Sequence, residues 1–160
     1  MQNAIAESAI LLELMTGLGS RMKDRSRSEA SSPDLATAET AMRHWRSGAA
    51  WGDWSALLGM LDPEVTFHVP VAEFAGWQQG KTAATRFFDQ LSAELRAELE
   101  VTSTLQAGPR VGFEVAVRGT WLGRDFTQAL CLVFLVTNGR VRAFHEYLAW
   151  PGGLAPALDR

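Results

Sequence analysis

Three polar side chains stand inside segments that otherwise alternate like buried strands: His68 in VTFHVP, Arg118 in VAVRGTW and Glu146 in GRVRAFHEY. Together they supply an imidazole, a guanidinium and a carboxyl. That is enough for acid/base chemistry without a cofactor: His68 or Glu146 moves a proton while Arg118 stabilises developing oxyanion charge. A buried polar group costs free energy unless it is paired, so an Arg118 to Glu146 ion pair is expected, one that keeps Glu146 ionised. Such a pair can equally be purely structural, because perturbed ion pairs also occur outside active sites. Thr66, Thr120, Gln128, Leu130, Trp45 and Leu148 are expected to contact the substrate.

Side chains alternate across a strand, so parity assigns these residues to faces. Val111, Phe113, Val115 and Val117 share one face of their strand, expected to be the outer side of the sheet. Glu114, Ala116, Arg118 and Thr120 share the other, expected to face a pocket under the helices. On the last strand Arg140, Arg142, Phe144, Glu146 and Leu148 form one row, opposed by Val141, Ala143, His145 and Tyr147. Thr66 and His68 share parity on the first strand. No phosphate loop, HExxH helix or Ser-His-Asp arrangement is present, and three scattered histidines make no metal-ligand spacing. The expectation is no metal and no cofactor.

The elements that must position these residues follow from periodicity. Leu35, Ala38, Met42, Trp45 and Ala49 form a helical stripe after Pro33-Asp34. Asp53 in the Gly-Asp-Trp segment is expected to cap a short second helix that ends at Asp62-Pro63, and Val65 to Val69 alternates as a strand. A third helix is expected from Thr82, with Phe87, Phe88, Leu91 and Leu95 inward. Strands are expected over Glu98 to Gln106, Val111 to Leu122, Arg124 to Thr137 and Arg140 to Leu148. Asn138-Gly139 is a strong hairpin signal, because both central residues of a type I′ turn need positive φ. Helices first and a meander later predict an α+β domain: a curved, mainly antiparallel sheet wrapped around helices as a cone-shaped barrel that encloses a pocket.

Composition fits this plan. The chain of 160 residues with 47% hydrophobic and 21% charged residues is that of a globular domain, and a net charge of -3 disfavours nucleic acid. The single Cys131 excludes an intrachain disulfide, and the cytoplasm, with no membrane association, is the expected location. Three regions are expected: an N-terminal amphipathic helix and flexible linker over 1–33, the α+β domain over 34–150 and a tail over 151–160. The apolar run from Ala4 to Gly19 lacks a basic leader and is broken by Glu7 and Glu13, so it reads as a helix and not a signal peptide.

The order of GDW helix, strand ending in Pro70, QGKTAATRFF helix and closing GRVRAFHEY resembles the SnoaL-like branch of the nuclear transport factor 2-like superfamily over about Asp34 to Trp150. The resemblance implies a small-molecule pocket and a homodimer through the sheet face. Among relatives, limonene-1,2-epoxide hydrolases use two aspartates around an arginine. On this resemblance the arginine matches Arg118 and one aspartate matches Glu146. The other aspartate falls on Thr120, and a water-holding pair falls on Thr66 and His68. The ketosteroid isomerase base falls on Val69, which accepts no proton. The leading reading is therefore a cofactor-independent cyclase, isomerase or hydrolase acting on a hydrophobic oxygenated molecule such as a polyketide or terpenoid. Its competitors are a noncatalytic binding module and a dimerisation domain, the last of which requires that no pocket of roughly 300 Å³ or more exist.

Overall fold

The computed structural model describes residues 32–149. The helix and linker expected over 1–33, apart from the helix start at Pro33, and the tail over 151–160 lie outside the described residues. Helix α1 (Pro33–Trp51) is followed by short α2 (Ser55–Met60), strand β1 (Leu61–His68), a single 3-10 turn (Ala72–Phe74), the two-residue β2 (Gln78–Gln79) and α3 (Lys81–Glu94). Four long strands complete the order: β3 (Leu95–Ala107), β4 (Arg110–Trp121), β5 (Arg124–Thr137) and β6 (Arg140–Ala149). They form one curved sheet in the order β2-β1-β6-β5-β4-β3, which does not close on itself. The three hairpin pairings from β3 to β6 are antiparallel, and β1 pairs parallel to β6.

Local sequence explains the joints. Asn138 and Gly139 have φ of 54° and 70°, as the type I′ turn demands. Asp53 was expected to cap α2, but the N-cap is Trp54, without a side-chain cap, and Asp53 lies one residue before it, its Oδ1 accepting the Ser55 backbone N–H at 3.0 Å. Helix α3 starts one residue before Thr82, directly after Gly80, and has no side-chain cap. Strand β3 starts at Leu95, where the chain passes from α3 into the sheet with no intervening loop.

The core is aromatic. Trp45 of α1 meets Trp54, Phe88, Phe134 and Phe144 edge to face at centroid distances of 5.3 to 6.0 Å. Phe67 of β1 stacks on Phe144 of β6 at 4.8 Å. These contacts identify the sheet's inner, helix-covered face. Phe113 packs against Phe134 at 6.0 Å, and Val111, Val115 and Val117 are buried with it. The apolar row of β4 is thus the core and not the outer side of the sheet, which corrects the face assignment made from parity. The physical reason is plain: Val111, Phe113 and Val115, in register with Phe134, Leu132 and Leu130, bury best under the helices with Val117 beside them.

A second correction concerns β6. Leu135 pairs with Ala143 but Val136 pairs with Val141, so Arg142 is an extra residue that breaks the alternation. Val141 and Phe144 are both fully buried as a result, and Arg142 bends out to an ion pair with Asp62 at 3.0 Å.

Candidate functional site

The register places Glu146 opposite Leu132, which is itself opposite Phe113, so the carboxyl belongs to an apolar row on the inner face. Phe144 precedes it on that face, and Leu148, opposite the buried Leu130, follows it toward the end of the strand. Glu146 is partly reached by solvent, whereas Leu148 is well exposed. Burial alone pushes the Glu146 carboxyl up from 4.5 to about 7, and no basic group draws it back. It is a carboxyl able to hold or release a proton near neutrality.

The other expected members stand elsewhere. Alternation from buried Val117 puts Arg118 and Thr120 on the outer face, where Arg118 is exposed and stands opposite Glu98. The expected Arg118 to Glu146 ion pair is therefore absent, because a sheet lies between the two groups. Phe67 faces inward, so Thr66 and His68 also face outward, beside Ala143 and His145. His68 lies against Trp77 at 5.8 Å, and Trp77 meets His145 at 4.9 Å. His145 is buried with no hydrogen-bond partner on Nε2, and burial lowers its pKa. The constellation of His68, Arg118 and Glu146 does not converge, and the epoxide hydrolase correspondence breaks at the first strand and at β4. Trp45 is core, not a cavity wall.

Gln128 and Leu130 do share the inner face with Glu146. Gln128 also lines an open cavity of about 770 Å³ between α1 and strands β3 to β5. Leu99 and Val117 line it from the sheet, and Arg43, Arg46, Ser47 and Trp51 from α1. The cavity exceeds the roughly 300 Å³ below which the dimerisation-domain reading would have gained ground. The α1 residues were missed in the sequence, although a signal was present: Arg43 and Arg46 lie off the Met42, Trp45 and Ala49 stripe at helical spacing. Among the described residues no three His, Cys, Asp or Glu side chains gather to hold a metal ion, and no helix is long and apolar enough to cross a membrane.

The geometry has counterparts among known proteins. A family model described as a SnoaL-like domain matches residues 38–144. An NTF2-like protein from Anabaena variabilis ATCC 29413 superposes with a TM-score of 0.74 at 25% identity, covering 79% of this chain and 97% of that one. An LEH-like epoxide hydrolase from M. tuberculosis gives 0.59 at 14% identity over 71% of this chain and 84% of its own. A protein of ketosteroid isomerase-like fold from Catenulispora acidiphila DSM 44928, solved with trimethylamine, gives 0.57 at 14% identity over 67% and 83%. No curated protein matches.

Proposed function

From the premise that this chain belongs to the SnoaL-like family, a group whose fold also carries isomerases and epoxide hydrolases, we propose that it is a cofactor-independent enzyme whose Glu146 transfers a proton on a small hydrophobic oxygenated substrate. One observation carries the reading: an inner-face carboxyl that burial holds at about 7. A general base works best when its pKa lies near the working pH, because it is then both sufficiently ionised and sufficiently basic. The apolar row around it suits a substrate with a carbon acid next to a carbonyl. Glu146 takes the proton from carbon and returns it to a neighbouring carbon in an isomerisation, or to the alkoxide oxygen left by carbanion attack on a carbonyl in an aldol-type cyclisation. His68 and Arg118 have no part in this step.

The test is proton exchange. A panel of cyclic enones and 1,3-diketones incubated with the protein in D2O is expected to include members whose α-protons exchange above background by NMR. E146Q is expected to lower that exchange at least about 100-fold, the low end of what a positioned base contributes, while H68Q and R118Q leave it within about twofold. Exchange that survives E146Q would sink the reading. A noncatalytic binding module is the second reading. It is favoured by the position of Arg118 across the sheet from Glu146, which leaves a developing oxyanion without a guanidinium.

The same proposal makes the protein cytoplasmic and a homodimer through the outer sheet face, where Cys131, Val133 and Leu135 are only partly buried and Tyr147 and Leu105 are exposed.

A further inference from the structure

We infer that the open cavity between α1 and strands β3 to β5 binds an organic carboxylate with an apolar or aromatic body. The inference goes beyond the proton-transfer reading, because Glu146 is not among the lining residues and binding does not depend on its chemistry. A volume of about 770 Å³ suits a molecule of metabolite or drug size. The apolar part of the wall comes from Leu99, Val117 and Ala50. Trp51 adds an indole that is 78% exposed at the end of α1, a large aromatic surface left in water beside a concave wall.

Charge selects the head group. Glu98, Glu100 and Arg118 also border the cavity, with Glu98 and Arg118 directly opposite each other across β3 and β4 and Arg118, next to buried Val117, turned to the outer side. Glu98 and Glu100 alternate with buried Ala97 and Leu99, so both carboxylates point to the other side of β3 from Leu99. The cationic side of the cavity comes from Arg43 and Arg46 of α1. Among the described residues neither forms an ion pair, and the Arg43 Nη2 donates only to the Thr40 hydroxyl at 2.9 Å. Two guanidiniums three residues apart lie on adjacent helix positions, where planar forks can accept one carboxylate together. Ser47 and Gln128 add a hydroxyl and an amide nearby. An anion with an apolar tail satisfies the cationic wall and covers Leu99, Val117 and Trp51 at once.

The test uses 2-naphthoate and its neutral counterpart 2-naphthylmethanol, titrated calorimetrically at low salt into the intact chain, R43Q/R46Q and E146Q. The naphthoate is expected to bind at least about tenfold tighter than the alcohol, as a charge-assisted pair contributes. R43Q/R46Q is expected to remove that preference while leaving alcohol affinity within twofold, and W51A to weaken both ligands. Both arginines are exposed on α1, and unchanged thermal melting of the double variant verifies its fold. Equal affinities, no binding of either probe at millimolar concentration, or a preference that survives R43Q/R46Q overturns the inference. E146Q is expected to bind naphthoate like the unmodified protein, so failure at Glu146 and failure at this cavity are read separately.

Discussion

A carboxyl whose pKa is about 7 in the folded chain and near 4.5 in the unfolded one binds its proton more tightly when folded. The sign follows: Glu146 is protonated in both states below pH 4.5 and costs nothing extra there. As pH rises from 4.5 to 7 the unfolded state gains from ionisation and the folded state does not, so stability falls, levelling off above 7. The full penalty is about 3 kcal/mol as an upper estimate, at 1.36 kcal/mol per pKa unit. E146Q is accordingly expected to raise the melting temperature at pH 8 and to change it little at pH 4.5, as followed by circular dichroism across that range. The inward position of Glu146 was legible from strand parity, but its solitude was not. Pairing with Arg118 followed from placing β4's polar row under the helices, and alternation alone says that two faces differ without saying which one is covered.

At the scale of elements, the strands and their hairpins were readable because Asn138-Gly139 and the alternating runs are local signals, whereas the bulge at Arg142 is created by pairing and leaves no mark on its own strand. Another feature set by pairing is Gly119, opposite Ala97 on β3. A Cβ there would stand 2.6 Å from the Ala97 Cα and closer still to the Arg96 carbonyl oxygen. Backbone cannot yield as a flexible side chain can, so the two strands would have to part. G119V is expected to destabilise the protein by roughly 2 to 3 kcal/mol, in the upper range for overpacking. Urea denaturation measures it, and a variant within 0.5 kcal/mol of the parent would show that β3 and β4 separate there without penalty. The α1 arginines teach the complementary lesson. Their spacing was visible, but only the sheet curving past the helix makes a charged helix face into a cavity wall.

For the whole molecule, the α+β cone was recoverable from element order, since helices followed by a meander leave few ways to cover a sheet. The surface proposed for a partner follows only from the corrected faces. With Val111, Phe113, Val115 and Val117 committed to the core, the surface available for the proposed homodimer is the one carrying Val133 and Leu135. V133R is expected to convert the dimer to a monomer in sedimentation velocity while keeping the monomer's melting temperature within a few degrees. An unchanged sedimentation coefficient would place the interface elsewhere.

The parallel pairing of β1 with β6 has its own consequence in time. Leu61 finds Val141 and His68 finds His145, partners nearly eighty positions later in the chain. The meander from β3 to β6 can zip from its local turns, but β1, which pairs early with β2 on one edge, must wait for the last strand on the other. Chains rich in such distant pairings fold slowly. On a translating ribosome that edge of β1 therefore emerges long before its partner exists, and it stays unpaired until residue 145 or so has left the exit tunnel.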